Sequence, residues 1–173
     1  MIPVLEIERL RLRGWQRGDF DAYAAFRADP EMAGRLPGGP LDRTASWNKL
    51  CETIGQWTLR GYGIFALEER ESGHLAGYSG LWHPVDLEEP ELTWGLFAGF
   101  HGRGYATEAA RAVQHWAHEE AGLPPLMSFV HPDNTPSIRV AERLGATLER
   151  RGKLRGLDRL VYRHVVPSFE PIT

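Results

Sequence analysis

A short glycine-containing segment at residues 100–110 constrains this chain more than any other part of its sequence. It reads Phe-His-Gly-Arg-Gly-Tyr-Ala-Thr-Glu-Ala-Ala and runs directly into a predicted helix. Backbone N–H groups at a helix start have no intrahelical partner, and the helix dipole places partial positive charge there. Gly102 and Gly104 permit positive φ angles and a close approach of the backbone to a ligand. The segment therefore predicts a binding site for a phosphate-bearing ligand.

Two common phosphate-binding patterns do not fit this segment. A Walker loop requires Gly-x-x-x-x-Gly-Lys-Ser/Thr, which does not occur in the chain. A Rossmann loop requires Gly-x-Gly-x-x-Gly/Ala after the first strand of a βαβ unit. Here Thr107 stands where the third Gly or Ala belongs, and the segment lies late in the chain. A nucleotide enzyme that uses the segment in another way remains an alternative, and it predicts binding of NAD or ATP in preference to coenzyme A.

The composition is typical of a soluble globular protein and excludes several classes of function. The chain has 173 residues, of which 42% are hydrophobic and 25% charged, and this length predicts one domain over residues 1–173. Its formal net charge of −3 argues against a dedicated nucleic-acid-binding protein. No run of about 18 apolar residues occurs, so we expect no membrane span. The first residues lack the pattern of a secretory signal peptide, so we expect a cytoplasmic protein.

Cysteine usage agrees with that location. Cys51 is the only cysteine, so the chain cannot form an internal disulfide, which suits a reducing compartment. A structural zinc site built from several thiolates is excluded, and we predict no metal site. Cys51 itself is interpreted as a small apolar residue on a helix.

The order of predicted elements indicates an α/β protein with an α+β mixed sheet. Periodicity and turn residues predict one strand, then helices, a three-strand meander, a helix, a strand, a helix and two final strands. Asp19 and Asn134 are suited to cap helices, and Gly145 is suited to end one. The predicted strands include Leu10 and Leu12, then cover residues 62–68, 75–81, 91–97, 125–130, 146–150 and 160–166. The predicted helices cover about 20–27, 44–59, 105–120 and 134–144, with Trp47, Leu50, Ile54 and Trp57 forming an apolar stripe on the second.

Several sequence motifs resemble those of the GNAT N-acetyltransferase superfamily. The run 101–106 is similar to its acetyl-CoA pyrophosphate loop, Gln/Arg-x-x-Gly-x-Gly/Ala, matching at Gly104 and Ala106 and departing at His101. Residues 6–13 resemble the "ERLxLR" first strand of the ribosomal-protein N-terminal acetyltransferase branch. Residues 102–109 resemble its "GxGYATEA", and residues 134–146 its "NxxSxxVxEKxGF" helix.

The resemblance implies a fold and a cosubstrate. It implies a central, mostly antiparallel sheet of about seven strands, flanked by helices and splayed between strands 91–97 and 125–130. Acetyl-CoA would lie across the gap as cosubstrate. Thr107 would contact phosphate or only cap its helix, and Asn134 would bind the pantetheine arm while also capping a helix. The implied cofactor-binding residues are Leu96, Phe97, Ala98, His101, Gly102, Arg103, Gly104, Tyr105, Ala106, Thr107, Asn134 and Ser137.

The same resemblance implies two catalytic residues, Ser137 and Glu91. Many members of the superfamily carry a Tyr general acid where this chain has Ala141, so Ser137, one helical turn earlier, is the candidate proton donor to the leaving thiolate. Glu91, at the start of a predicted strand, is the candidate base, and His83 is a second candidate. Each has a purely structural alternative: a first-turn contact for Ser137, a charge pair for Glu91 and a surface loop for His83.

The acceptor is less constrained by the sequence. A neutral amine must attack the thioester, and an α-amine is substantially neutral near physiological pH, so the lack of an obvious strong base favours an α-amine or another amine of low pKa. Trp82 and Trp94 flank the predicted acceptor side, and Glu88, Glu89 and Glu91 predict an acidic surface that attracts a basic amine. Residues 28–59 are interpreted as the variable lid over the acceptor.

Two functions of different class remain open at this point. The first is an N-acetyltransferase acting on a protein N-terminus or a small primary amine. The second is a non-catalytic module that binds acyl-CoA as a sensor or scaffold. The resemblance also makes a homodimer plausible, and nothing in the sequence indicates a nucleic-acid or membrane partner.

Overall fold

The computed structural model describes residues 1–166, which form one mixed sheet with helices on both faces. A short 3₁₀ turn, Arg17–Asp19, precedes the first helix. The helices are α1 (Phe20–Ala28), α2 (Pro30–Ala33), α3 (Arg43–Arg60), α4 (Tyr105–Glu119) and α5 (Thr135–Arg143). The strands are β1 (Leu5–Glu6), β2 (Leu10–Arg13), β3 (Ile64–Glu69), β4 (Leu75–Trp82), β5 (Glu91–Leu96), β6 (Met127–Val130), β7 (Thr147–Leu154) and β8 (Leu157–Arg163).

The order across the sheet is β1-β2-β3-β4-β5-β6-β8-β7. Neighbouring strands are antiparallel except β5 and β6, which are parallel. This arrangement agrees with the predicted α/β class and mostly antiparallel sheet. The first two strands of the predicted meander, β3 and β4, form an antiparallel hairpin, with Gly73 in its turn at a φ of 71°.

The two faces of the sheet bury different helices. The amphipathic helix α4 packs its small and apolar residues, such as Ala109 and Val113, against Leu10, Phe65 and Leu92. On the opposite face, α1 and α3 bury a second cluster of side chains against β3, β4 and the end of β5. Its members include Tyr23, Phe26, Leu50, Tyr78 and Phe97. The two layers place α4 and the α1–α3 segment on opposite sides of β5.

The sheet splays open between β5 and β6. The two strands pair only at Glu91 and Met127 and then diverge. Just beyond that point the Ser128 hydroxyl donates to the Leu92 carbonyl (2.5 Å) and accepts from Nε2 of His164 (2.8 Å), which closes the narrow end of the gap. Beyond Leu92 the strands leave a wedge between them, as the resemblance implied.

Some predicted elements differ from the observed ones. The described sheet has eight strands rather than about seven, because Leu5–Glu6 pairs with Leu12 and Arg11 of β2. Strand β7 is longer than predicted, β8 begins and ends three residues earlier than predicted, and α2 was not predicted. Because β7 is an edge strand and mostly exposed, it lacks the apolar alternation that marks a half-buried strand.

Two local predictions on helices are wrong. Asp19 does not cap α1 with its side chain, since its carboxylate instead binds Arg13 and the backbone N–H of Gln16. The stripe on α3 is only half buried: Leu50 and Trp57 lie in the core, whereas Trp47 and Ile54 are exposed. None of the helices within residues 1–166 has the length and apolar character needed to span a membrane.

Candidate functional site

A cavity of about 770 Å³ occupies the wedge between β5 and β6. This volume lies within the usual range for small-molecule sites. One side of the cavity is formed by residues of the α1–α3 segment, and the other by the start of α4, the loop before it and the first turns of α5. The structure brings together at this cavity the predicted residues Glu91, Leu96, His101, Gly102, Gly104, Ala106, Thr107, Asn134 and Ser137.

The backbone of β5 presents polar groups to this wedge. Successive residues of a strand point their N–H and C=O groups to alternate edges. Because the Leu92 carbonyl accepts from Ser128 on β6, the backbone groups of Trp94 and Leu96 also point toward the β6 side, where the strands are apart. Nε2 of His101 donates to the Leu96 carbonyl (3.0 Å) and so closes the intervening loop.

The start of α4 has the features of an anion site. Gly102 and Gly104 have φ angles of 75° and 81°, which L side chains adopt at a cost. Gly104 is the N-cap, so no side chain caps the helix. The Thr107 hydroxyl, in the first turn, is buried and has no hydrogen-bond partner among the described residues. These groups fit an oxygen-rich ligand seated on the helix N-terminus.

The start of α5 faces the same cavity. Oδ1 of Asn134 accepts from the backbone N–H of Ser137 (3.3 Å), so Asn134 caps the helix as predicted. Ser137 is half-buried and lines the cavity. Ala141, one turn later, is fully buried in the core. Ser137 is therefore the hydroxyl group that the first turns of α5 offer to the wedge.

Glu91 lies at the point where β5 and β6 begin to separate, and it lines the cavity. Its Oε1 accepts a long hydrogen bond from the backbone N–H of Phe129 (3.4 Å). Burial raises the pKa of Glu91 to about 7, while that hydrogen bond and the charges of Arg159 and Arg155 act in the opposite direction. A carboxyl with a pKa near neutrality is suited to accept a proton during catalysis.

Four predicted cofactor residues do not line the cavity. Arg103 turns away to pair with Glu69 (2.9 Å), and the Tyr105 hydroxyl donates to the same carboxylate (2.6 Å). Phe97 is buried against Phe26 on the α1 side of the sheet, with ring centroids 4.9 Å apart. Ala98 is exposed. The guanidinium of Arg103 is therefore engaged by Glu69 rather than held at the mouth of the cavity.

His83 has a structural role here. Its Nε2 donates to the Leu87 carbonyl (3.1 Å), and its Nδ1 accepts from the Tyr62 hydroxyl (2.5 Å). Burial lowers the pKa of His83. Because both ring nitrogens are engaged and the residue does not line the cavity, the structure favours Glu91 over His83 as the candidate base.

The predicted acidic character of the acceptor side is wrong. Glu89 pairs with Arg163 outside the cavity. On the α1–α3 side, basic side chains outnumber the two carboxylates, Glu31 and Glu91. The basic residues there are Arg27, Arg35, Lys49, Arg155 and Arg159. The sequence did not predict them because they come from separate segments of the chain. The available signal was Arg159, which directly precedes the apolar run Leu-Val-Tyr of β8.

The aromatic predictions are partly met. Trp82 lines the cavity, with the Lys49 ammonium 4.7 Å from its ring centroid. Trp94 lines the cavity from the α5 side, and its indole N–H is buried without a partner among the described residues. Within residues 1–166, no group of three or more His, Cys, Asp or Glu side chains is arranged to hold a metal ion.

Comparison with known proteins agrees with this geometry. The family model described as Acetyltransferase (GNAT) domain matches residues 9–147. This chain belongs to the GNAT acetyltransferase family. It is therefore an acetyltransferase, and the resemblance stated from the sequence motifs is confirmed.

Its relatives include sequences and solved structures. The uncharacterized N-acetyltransferase p20 of Bacillus licheniformis is 25% identical over 161 residues, which cover 91% of this chain and 89% of that protein. An acetyltransferase from Agrobacterium tumefaciens str. C58 is 40% identical, with a TM-score of 0.88 and 95% of each chain covered. RimL, a ribosomal L7/L12 alpha-N-protein acetyltransferase solved in complex with coenzyme A, shares the fold at 17% identity, with a TM-score of 0.78 and coverage of 95% of this chain and 98% of that one.

Proposed function

We propose that this GNAT acetyltransferase uses acetyl-CoA to acetylate a primary amine, either a protein N-terminal α-amine or a small-molecule amine, by direct attack in a ternary complex. One observation carries the proposal. A single cavity in the wedge joins a glycine-capped helix start, the Asn134 and Ser137 side chains, and a carboxyl group with a raised pKa.

The cosubstrate assignment rests on the α4 end of the cavity. The unpartnered Thr107 hydroxyl and the N–H groups of the first turn of α4 would hold the pyrophosphate. The backbone groups of Trp94 and Leu96 that point toward the wedge would pair with the pantetheine arm, as would the Asn134 side chain. RimL, which shares this fold, was solved with coenzyme A bound.

The reacting groups would meet beside Glu91. The neutral amine attacks the thioester carbonyl, a C–N bond forms, and the C–S bond then breaks. Glu91 accepts the proton that the amine loses, directly or through water. Ser137 donates a hydrogen bond to the departing thiolate and relays a proton to it from water, so that the serine hydroxyl is restored. A thiol of pKa about 8.5 is a fair leaving group near neutrality, so a hydroxyl donor suffices. A backbone N–H of β5 stabilises the oxyanion, since donors already held in place lower the barrier without reorganisation.

Parallel calorimetric titrations with acetyl-CoA, coenzyme A, NAD and ATP test the cosubstrate. We expect selective binding of acetyl-CoA and coenzyme A. A screen of amines, followed by release of the free thiol of coenzyme A, then tests the reaction. Binding of NAD or ATP in preference to coenzyme A would contradict the proposal, and so would acetyl-CoA binding without thiol release for any amine.

The Ser137→Ala variant tests the assigned proton donor. We expect kcat to fall about tenfold or more while the Kd for acetyl-CoA stays within about twofold, because the hydroxyl is needed only when the thiolate leaves. Thr135→Ala is the matched control, since Thr135 occupies the same helical turn but is exposed outside the cavity. An unchanged kcat in Ser137→Ala would remove Ser137 from the mechanism.

A further inference from the structure

Two buried arginines lie on the α1–α3 side of the cavity. Arg27, on α1, is 7% exposed, and Arg159, on β8, is 3% exposed. Two other basic residues on this side of the cavity are paired with carboxylates: Lys49 binds Glu52, and Arg155 binds Asp86. Neither Arg27 nor Arg159 forms an ion pair with any carboxylate of residues 1–166.

The hydrogen bonds of Arg27 leave part of its guanidinium unused. Its Nη2 donates to the Gly39 carbonyl (3.1 Å). Its Nε is buried and has no partner among the described residues. A buried charged donor without a partner costs free energy, so a ligand that supplies an acceptor gains correspondingly.

Arg159 is held in a similar way. Its Nη1 donates to the Asp158 carbonyl (2.8 Å) and its Nη2 to the Arg35 carbonyl (3.2 Å). Burial lowers the pKa of Arg159, and the negative charge of Glu91 acts in the opposite direction. Each arginine thus donates to a neutral carbonyl of the loop between α2 and α3. The charges of Glu91 and Asp158 act on Arg159 without forming an ion pair with it, so no carboxylate of residues 1–166 occupies either guanidinium.

The position of the two arginines separates them from the proposed cosubstrate site. That site lies at the start of α4, which packs on the opposite face of the sheet from α1. Arg159 reaches across to the loop after α2, and its charge acts on Glu91. Since Glu91 is the proposed base, a group bound to these arginines would belong to the amine acceptor rather than to acetyl-CoA.

We infer that the amine acceptor carries an oxyanion, a carboxylate or a phosphate, which is bound by Arg27 and Arg159 while its amine faces Glu91. This inference rests on the proposed function and deepens it by naming the chemical class of the acceptor. Guanidinium groups bind both oxyanions through paired N–H donors. The proposed acceptor with an oxyanion replaces the basic acceptor that was predicted from the sequence.

Pairs of acceptors that differ in one anionic group test the inference in the unmodified protein. β-Alanine is compared with β-alaninamide, and O-phosphoethanolamine with ethanolamine, by release of the thiol of coenzyme A. Rates are corrected for the fraction of neutral amine at the assay pH. We expect kcat/KM to be about 10- to 100-fold higher for the anionic member of at least one pair. The pair with the larger ratio distinguishes a carboxylate from a phosphate.

Variants that remove one positive charge test whether Arg27 and Arg159 cause the preference for the anionic acceptor. In Arg159→Gln and Arg27→Gln the ratio of kcat/KM between the anionic and the neutral member is expected to fall about tenfold, whereas the KM for acetyl-CoA stays within about twofold. Because the charge of Arg159 acts on Glu91, its removal changes the rate with both members, and the ratio between them is the quantity compared. Arg159→Lys retains the charge but loses the planar fork, so it keeps part of the preference. Arg151→Gln is the matched control, because Arg151 is an exposed arginine of the same hairpin outside the cavity.

The outcomes separate this inference from the proposed function. Equal kcat/KM for both members of each pair, or a preference that survives in the double variant Arg27→Gln/Arg159→Gln, would overturn the inference while the enzyme remained active. If no amine released the thiol, the proposed function would fail, and calorimetry with N-acetyl-β-alanine and its amide would test the arginines. Tighter binding of the anion would support the subsite, and equal binding would overturn it.

Discussion

Replacing Glu91 by Gln is the sharpest test of the proposed chemistry. The substitution keeps the size of the side chain and removes its capacity to accept a proton. Burial raises the pKa of Glu91 to about 7, so the carboxylate form is dominant only above neutrality. We expect Glu91→Gln to lower kcat/KM for the amine about 100-fold at about pH 8, within the usual contribution of a general base.

The pH dependence of this effect follows from the same pKa. Ionisation of the amine also changes the rate, but it affects both proteins equally and cancels in the ratio of their kcat/KM values. The ratio of wild type to Glu91→Gln is expected to be constant above about pH 8 and to fall about tenfold per pH unit below about pH 7, because the base becomes protonated. Thiol-release assays on both proteins between about pH 5 and about pH 9 measure it.

A matched control distinguishes the base from a general charge effect. Glu31→Gln makes the same chemical change at an exposed carboxylate of the same cavity, and its ratio to wild type should not vary with pH. A ratio for Glu91→Gln that stays constant from acid to alkaline pH would refute the assignment of Glu91 as the base. So would a wild-type inflection near the ordinary pKa of a glutamate.

Two further predictions concern the cosubstrate end of the cavity. Gly104→Val should raise the Kd for acetyl-CoA at least about tenfold, since φ is 81° and a β-branched side chain would distort the helix start; Gly99→Val, with a φ of 87° outside the cavity, is the strain control for the calorimetry. Thr107→Val should weaken acetyl-CoA binding about 5- to 15-fold without lowering Tm, because the lost hydroxyl has no hydrogen-bond partner within residues 1–166. Unchanged Kd values would contradict either prediction.

The fold was predictable from the sequence where local signals and burial agree. The amphipathic pattern after Gly104 predicted α4 to within one residue of its observed end, and Asn134 caps α5 as expected. The hairpin of β3 and β4 was predicted as part of the three-strand meander, from turn residues between the two strands. In each case one short segment both favours the observed secondary structure and supplies the side chains that become buried.

The cosubstrate end of the cavity was predictable from the sequence for a related reason. The acceptor end of the cavity was not predictable. Gly102, Gly104 and Thr107 lie within one continuous motif, so their mutual position follows from local geometry. Arg27 and Arg159 are separated by most of the chain and meet the same loop only through the packing of α1 and β8. Glu88, Glu89 and Glu91 lie close together in the sequence, and the acidic surface was predicted from them. Of the three, Glu91 alone lines the cavity.

Two groups near the narrow end of the wedge, the half-buried Glu91 and the buried His164, make opposite contributions to stability as pH changes. The pKa of Glu91 is raised from 4.5 to about 7, so its contribution favours folding at low pH and is lost as pH rises through about 7. Burial lowers the pKa of His164 from 6.5 to about 4, so its contribution is present above 6.5 and is lost as pH falls toward 4. Each shift corresponds to at most about 3 kcal/mol.

These two slopes oppose each other between about pH 4.5 and about pH 6.5, and single variants should separate them. Relative to wild type, Glu91→Gln should gain up to about 3 kcal/mol in the free energy of unfolding as pH rises through this range and on to neutrality, because the variant has no charge to bury. His164→Gln retains a donor for Ser128. Relative to wild type it should be most stable at the acidic end of this range, and the difference should disappear as pH rises, because the imidazole of unfolded wild type then loses its proton. Urea unfolding at several pH values measures both differences. Differences that do not vary with pH would show that neither group is desolvated in the folded protein, and Glu91 would then lack the raised pKa on which its role as the base depends.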